Sequence, residues 1–198
     1  MNNESLPVTL ILASGSKYRS LLLQRLGMTF ECHTPNIDES TLEDESPLQQ
    51  VERLASAKAA AVNRDNPGAV VIGSDQLAVF NGQAVGKPGG HQRAVRQLRS
   101  FSGQMIEFLT AVAVHSIATG FNETHVDHTR VVFRDLDEAE IERYLEQEQP
   151  YDCAGAFKAE SLGISLFRSI ENEDPTGLIG LPLIRTAAML RRAGFALP

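Results

Sequence analysis

The stretch SGSKYR, residues 14–19, has the residue types of an anion-binding site. It follows an apolar run and opens a helical pattern, which predicts Ser14 and Ser16 at the turn into a helix. Backbone N–H groups at a helix start, with serine hydroxyls beside them, bind anions such as phosphate. Arg19, one turn into that helix, could donate to the same phosphate oxygens. The stretch lacks the GxxxxGK(S/T) pattern of a P-loop, and an ordinary N-cap serine is the alternative for Ser16.

Four other positions could add metal binding and water activation to such a site. Asp75, in IGSDQ, is predicted just past the carboxyl end of a buried strand, where α/β sheets gather active-site groups. Asp38 and Glu39, in an acidic loop, offer the carboxylate oxygens that hard divalent cations bind. Lys58, in an alanine-rich helix, and Lys87, in GKP, either reach inward or stay solvated. Taken singly, each position is also consistent with a turn aspartate, a solubilising loop or a surface lysine.

Two later loops carry further polar residues. In FKAES, Lys158 and Glu160 lie two residues apart and share a face if the segment is extended. In EDPTGLIGLP, Asp174 precedes several turn-forming residues and is a candidate for a second oxygen-rich rim.

Alternating strands and helices must bring these positions together. The Asn81-Gly82 pair predicts a hairpin, Asp137 predicts a helix N-cap, and the leucines of the first helix predict a buried face that includes Leu21. The early alternation, followed by longer antiparallel strands, indicates a mixed α/β chain. Hydrophobic periodicity predicts strands over 8–13, 28–33, 69–73, 105–117, 125–133 and 164–170, and helices over 17–26, 48–63, 91–99, from 137 to 150, and a last one ending at about 192.

Composition limits the classes of protein to consider. The 198 residues, 42% hydrophobic and 22% charged, suffice for one domain with its own core. The two cysteines show no metal-binding spacing, so a reducing cytoplasm is expected. No apolar run approaches the ~20 residues of a membrane span, and the opening MNNESLP lacks a secretory pattern. A net charge of −7 argues against nucleic acid as a partner.

The polar segments described above resemble, in their order and spacing, those of the Maf family of nucleoside triphosphate pyrophosphatases. The resemblance implies a mixed α/β fold related to the inosine triphosphate pyrophosphatases, with 1–198 as a single domain of two lobes around a central cleft, often paired as a homodimer. It implies hydrolysis of a nucleoside triphosphate to the monophosphate and diphosphate, assisted by Mg²⁺ or Mn²⁺. The matching segments, from about residue 10 to 191, are LASGSKYR, Asp38-Glu39, LASAKA, IGSDQ, GKP, Ser102-Gly103, AGAFKAES and GLIGLPL.

The resemblance also implies roles for individual residues. Asp75 is the catalytic group, either as the base that takes a proton from water or as a metal ligand. Glu39 joins Asp75 as a metal ligand. The residues implied in phosphate binding are Ser14, Ser16, Arg19, Lys58 and Lys87.

Three departures from the commonest family pattern point to the substrate. Many members carry SPRR in the first loop, whereas this chain has Tyr18 at the third of those positions. The branch directed at dTTP and UTP usually has threonine after the aspartate and QG in the later loop, where this chain has Gln76 and Glu160-Ser161. Tyr18, Gln76 and Glu160 resemble the branch whose implied substrate is 7-methyl-GTP.

The physical chemistry of that substrate agrees with these residues. N7-methylation puts a positive charge on guanine, which an aromatic face attracts by about 0.5–2 kcal/mol. A carboxylate such as Glu160 accepts from guanine N–H donors and favours the positive charge. The alternatives are a dTTP and UTP pyrophosphatase and a non-catalytic regulator of septum formation.

Overall fold

The computed structural model describes residues 8–198, and its framework is one mixed sheet of seven strands. The strand order is β2-β1-β3-β5-β6-β7, with β4 paired to β3 outside that path. The prediction that the opening MNNESLP lacks a secretory pattern lies outside the described residues. The strands are β1 (Leu10–Ala13), β2 (Glu31–Cys32), β3 (Val70–Phe80), β4 (Gln83–Val85), β5 (Met105–Ser116), β6 (Phe121–Phe133) and β7 (Phe167–Glu171).

Strand direction changes across β3. Strand β1 runs parallel to both β2 and β3, whereas the pairs formed by β3 with β4 and β5, β5 with β6, and β6 with β7 are antiparallel. The mixed α/β prediction is therefore confirmed. Within residues 8–198, no helix is both long and apolar enough to cross a membrane. The helices are α1 (Lys17–Gln24), α2 (Pro47–Asp65), α3 (His91–Phe101), α4 (Glu138–Glu148) and α5 (Leu183–Arg192).

Helices cover both faces of the sheet because successive strand residues point to opposite sides. Leu10 and Leu12 of β1 pack with residues of α1 and α5, whereas Ile11 and Ala13 pack with residues of α2. A third cluster, rich in phenylalanine, fills the space between the other end of the sheet and helices α3 and α4. These cores hold α1 and α2 on opposite faces of β3.

Several local signals predict their elements correctly. Asn81 and Gly82, with φ of 50° and 76°, form the turn between β3 and β4. Asp137 caps α4, and its side chain and that of Glu140 form a reciprocal capping box. Such signals succeed because the hydrogen bonds they describe join residues a few positions apart.

Some predicted boundaries are wrong. The strand predicted over 69–73 continues to Phe80, so Asp75 lies in the middle of β3 rather than past its end. The second strand shrinks from 28–33 to two residues that pair with β1. The strand predicted over 164–170 begins at Phe167, because the five residues before it form a 3₁₀ turn. Leu21, predicted in the core, is exposed; Leu22 and Leu23 form the buried face of α1.

Candidate active site

The ten residues to which the family resemblance assigns a site role all line one cavity of about 660 Å³. It lies where β1 ends, since Ala13 is the last β1 residue paired with β3. Beyond that point one edge of β3 is left without β1, and side chains from both faces of β3 reach the same space. The ten residues are Ser14, Ser16, Tyr18, Arg19, Glu39, Lys58, Asp75, Gln76, Lys87 and Glu160.

The first wall is the start of α1. Ser16 is its N-cap, and its Oγ accepts from the Arg19 N–H at 3.5 Å. Ser14 Oγ accepts from the Ser16 N–H at 3.1 Å and from Arg19 Nη1 at 3.5 Å. Arg19 Nε donates to the Gly180 carbonyl at 2.9 Å. The helix start and a tethered guanidinium therefore face one cavity, as an anion site requires.

Burial and charge act in opposite directions on Arg19. Burial lowers the pKa of its guanidinium, while the negative charges of Asp75 and Glu39 raise it. Because an arginine cannot be deprotonated under ordinary conditions, the side chain brings a permanent positive charge to the cavity.

The second wall is a cluster of Lys58 with two carboxylates. Lys58 Nζ donates to Asp75 Oδ1 at 2.7 Å and lies 2.9 Å from Glu39 Oε1. Lys58 is 6% exposed and Asp75 7%, so the lysine reaches inward from α2 rather than into solvent. Buried charges of this kind persist when they are paired, and Lys58 supplies the partner for Asp75.

A close helix–strand contact makes this cluster possible. A Cβ at Gly73 of β3 would overlap the Ala55 carbonyl oxygen of α2 and lie 2.7 Å from the Ala59 nitrogen. The absence of a side chain at Gly73 lets α2 approach the sheet closely enough for Lys58 to bond Asp75, two residues further along β3.

The third wall carries Gln76. Its Nε2 donates to the carbonyls of Gly177 and Leu178, at 3.1 and 3.0 Å, and lies 2.9 Å from Thr110 Oγ1. Carbonyl oxygens only accept, so these contacts determine which end of the amide is the nitrogen. The Gln76 amide is left with an acceptor, Oε1, to offer a ligand.

Tyr18 and Glu160 line the same cavity. Burial raises the pKa of Tyr18 to about 12, and Cys153, Asp152 and Glu160 add to the shift. The phenol is therefore neutral at physiological pH. Lys17 Nζ lies 5.2 Å from the centre of its ring, which shows a cation already held against this aromatic group.

Several lining residues were not assigned a role from the sequence or were placed differently. Asp152 gave no signal, because a lone aspartate before a cysteine matches no motif. Lys158 and Glu160 both line the cavity although residues 159–161 form a turn rather than an extended segment. Asp174, predicted at an oxygen-rich rim, is buried and accepts from the Thr176 and Ile184 N–H groups, so it caps the start of α5 instead.

The donor chemistry of the Lys58 cluster fits a magnesium-like cation. Glu39 and Asp75 direct oxygens at the same ammonium, so two carboxylates already lie side by side. In the part of the chain that the structure describes, no three histidine, cysteine or acidic side chains form a metal-binding group. Magnesium ions commonly use one or two protein carboxylates and complete their shell with water and substrate phosphates.

Comparison with known proteins shows which family the chain resembles along its length. The family model described as Maf-like protein matches residues 9–193. The chain is 56% identical to a protein of Polaromonas named 7-methyl-GTP pyrophosphatase, over 95% of this chain and 86% of that protein. Proteins of the same name from Albidiferax ferrireducens and Nitrosococcus oceani are 52% and 48% identical, over 97% and 96% of this chain and 96% and 95% of theirs.

A solved structure from Vibrio cholerae covers 93% of this chain and 98% of its own at 13% identity. Its TM-score of 0.41 is too low to carry a conclusion. The family match covers nearly the whole chain, and the relatives match along almost their full length. This chain belongs to the Maf family.

Proposed function

We propose that this chain hydrolyses 7-methyl-GTP to 7-methyl-GMP and diphosphate. The observation that carries the proposal is the meeting, in one cavity, of the Lys58 cluster, the start of α1, and a wall formed by Tyr18, Gln76 and Glu160. The relatives' names support the same reaction and substrate.

The triphosphate binds at the start of α1. Ser14, Ser16 and the first backbone N–H groups of the helix donate to phosphate oxygens, and Arg19 adds a charge held in place by the Gly180 carbonyl. Lys87 reaches the same cavity from the segment after β4. Fixed cations of this kind stabilise the charge that develops on a transferring phosphoryl group.

Asp75 accepts the proton of the attacking water. The water oxygen bonds to the α-phosphorus, the bond from that phosphorus to the bridging oxygen breaks, and diphosphate leaves with the bridging oxygen. Lys58 holds Asp75 Oδ1, which orients the carboxylate towards the cavity. Glu39 and Asp75 would hold Mg²⁺ or Mn²⁺, which supplies positive charge for the phosphate oxygens when bound.

Base selection follows from charge and hydrogen-bond polarity. The neutral ring of Tyr18 stacks on the cationic methylated base. Glu160 favours the positive charge, and Gln76 Oε1 accepts from an N–H donor of guanine. A pyrimidine such as thymine has neither the positive charge nor the exocyclic amine.

We further propose that the enzyme works in the cytoplasm and pairs as a homodimer, with no nucleic acid as a partner. Both cysteines are free thiols, which is consistent with a reducing compartment. The net charge of −7 disfavours binding to a phosphate backbone. Cell fractionation and light scattering of the purified protein test the first two statements, and a DNA-binding titration tests the third.

A nucleotide panel tests the reaction and the substrate. Diphosphate release is measured with 7-methyl-GTP, GTP, dTTP and UTP, each with Mg²⁺, Mn²⁺ or a chelator. We expect kcat/KM for 7-methyl-GTP to exceed the others by about tenfold or more, a difference of about 1.4 kcal/mol. A preference for dTTP or UTP would contradict the substrate, and no release from any nucleotide would favour the regulator.

A further inference from the structure

The loop 176–181 contacts both ends of the proposed site. Its Gly180 carbonyl accepts from Arg19 Nε at 2.9 Å, at the phosphate end. Its Gly177 carbonyl accepts from Gln76 Nε2 at 3.1 Å, at the base end. The position of one loop therefore governs where a phosphate-binding and a base-reading side chain lie.

Each of these carbonyls is also held by a buried hydroxyl of the sheet. Ser74 Oγ donates to the Gly180 carbonyl at 3.0 Å, and Thr110 Oγ1 donates to the Gly177 carbonyl at 2.9 Å. Ser74 is 0% exposed and Thr110 1%. At both points, therefore, one loop carbonyl accepts from a buried hydroxyl of the sheet and from a side chain of the site.

Thr110 has a second bond that ties it to the base end. It lies directly opposite Gln76 in the pairing of β5 with β3, and its Oγ1 accepts from Gln76 Nε2 at 2.9 Å, the two amide protons being shared among this hydroxyl and the Gly177 and Leu178 carbonyls. Because its own proton is used on the Gly177 carbonyl, the hydroxyl can only accept from the amide. Thr110 therefore supports the orientation that turns Gln76 Oε1 away from the loop.

We infer that Ser74 and Thr110 are positioning residues, and that each acts on a different end of the site. Ser74 acts through the Gly180 carbonyl on Arg19 and so on the phosphates, which all triphosphates share. Thr110 acts on Gln76, directly and through the Gly177 carbonyl, and so on the base. This inference rests on the proposed function, because it assigns phosphate and base to the two ends.

The two hydroxyls should consequently differ in which kinetic quantity they change. Ser74→Ala should lower kcat/KM for 7-methyl-GTP and dTTP by the same factor, about three- to tenfold, as expected for one hydrogen bond. Thr110→Val should lower the ratio of kcat/KM for 7-methyl-GTP over dTTP by about three- to tenfold. Thr110→Ser, which keeps the hydroxyl, should restore that ratio.

Double variants show whether each hydroxyl acts through its assigned side chain. In a Gln76→Ala background, Thr110→Val should leave the substrate ratio unchanged, since the amide it positions is gone. In an Arg19→Lys background, Ser74→Ala should cause no further loss. Such non-additivity is the measure of coupling between residues in contact.

A matched control separates positioning from stability. Thr186 is buried, and its hydroxyl donates to the carbonyl of Pro182, the N-cap of its own helix α5, rather than to a loop carbonyl that a site side chain shares. Thr186→Val should lower the unfolding temperature while leaving kcat/KM and the substrate ratio close to those of the unaltered protein.

The inference is overturned if Thr110→Val lowers kcat/KM equally for all substrates, or still changes the ratio in the Gln76→Ala background. It is also overturned if Ser74→Ala changes the ratio, or lowers kcat/KM further in the Arg19→Lys background. Dissociation constants of 7-methyl-GTP and dTTP, measured with a chelator present, repeat the test without turnover. An unaltered protein that prefers dTTP would refute the proposed substrate. Additive effects in the double variants would refute the positioning roles.

Discussion

At the scale of single residues, Lys58 does two things for the proposed catalytic centre. Its ammonium neutralises Asp75, which is otherwise a costly charge to bury, and it holds Glu39 against the same point. Removing one partner of a buried pair leaves an uncompensated charge, so Asp75 and Lys58 depend on each other. The structure thereby explains why an acid and a lysine 17 positions apart belong to one motif set.

Asp75→Asn should abolish turnover while preserving the fold. Asparagine has the same shape and can still accept from Lys58, whose charge stays paired with Glu39, but it cannot take a proton from water. We expect a loss of kcat of about 100-fold or more, the usual size of a general-base contribution, with an unchanged circular dichroism spectrum.

Asp44→Asn is the matched control for this change. Asp44 is exposed, and its φ of 58° suits asparagine, so the Asp44→Asn variant should keep the activity of the unaltered protein. Near-normal activity of Asp75→Asn would remove Asp75 from the mechanism.

Tyr18→Ala should weaken selection of the methylated base. Loss of a cation–π contact of about 0.5–2 kcal/mol predicts a fall of about two- to thirtyfold in the ratio of kcat/KM for 7-methyl-GTP over GTP. Tyr18→Phe keeps the ring and should keep the ratio, because the phenol is neutral with its pKa raised to about 12. An equal loss for 7-methyl-GTP and GTP would show that the ring does not sense the charge.

At the scale of elements, the contact between α2 and β3 decides whether the Lys58 cluster forms. Gly73 allows the close approach, and the Ser46–Gln49 capping box starts α2 one turn before its buried face begins at Gln50. Lys58 lies on that buried face, so any shift of α2 away from β3 moves the ammonium away from Asp75.

Gly73→Ala should therefore reduce both stability and activity. Overpacking of this kind costs about 1–3 kcal/mol, and the resulting shift of α2 should lower kcat beyond what partial unfolding explains. Thermal unfolding and kcat measured well below the unfolding temperature separate the two effects. Gly68→Ala, at a glycine with open space around it, should change neither quantity; a harmless Gly73→Ala would contradict the packing explanation.

Between β6 and the loop after β7, a buried carboxylate makes stability depend on pH. Burial raises the pKa of Asp127, Asp174 adds to the shift, and a bond from Thr129 opposes it. The native state therefore keeps the Asp127 proton to higher pH than the unfolded chain does. The stabilising contribution of Asp127 to the free energy of unfolding is complete below the ordinary pKa of 3.8. It is lost as the pH rises through the raised native pKa.

Asp127→Asn should remove this loss of stability at rising pH, because asparagine carries no proton to lose. The unfolding temperature of the variant relative to the unaltered protein should rise as pH increases from about 4 towards 8, and this difference then levels off. Asp65→Asn, a change at an exposed position, should give a curve parallel to that of the unaltered protein. Parallel curves for Asp127→Asn would show that the buried carboxylate does not govern the pH dependence.

At the scale of the whole molecule, the cavity exists because strands of unequal length meet in one sheet. Strand β1 has four residues and β3 has eleven, so β3 runs on beyond its parallel neighbour. Asp75 faces the α2 side and Gln76 the opposite side, yet both reach the cavity around that open edge. The predicted division into two lobes stays a prediction.

The stability of the whole fold should not depend on reducing agents. Cys32 and Cys153 are free, and burial together with Asp152 raises the pKa of Cys153 to about 12, which keeps its thiol unreactive. The unfolding temperature should be the same with and without dithiothreitol, since apolar cores on both faces of the sheet supply the stability. A lower value with dithiothreitol would reveal a stabilising disulfide.

The sequence by itself determined the family, the site residue types and the elements that rest on local interactions. The Asn81-Gly82 turn and the Asp137 cap are examples, because their hydrogen bonds involve near neighbours. The motif set from SGSKYR to GLIGLP was sufficient to name ten of the residues that line the cavity.

Only the tertiary structure decided how those residues are held. Glycine, serine and aspartate at 73–75 predict the end of a strand, but twelve-residue β5 pairs with β3 throughout that region and continues it. Nothing in the sequence indicates the hydrogen bonds of Ser74 and Thr110 to the loop, because their partner carbonyls lie 106 and 67 positions away. Contacts between distant segments arise from packing of the folded sheet, which no local pattern in the chain records.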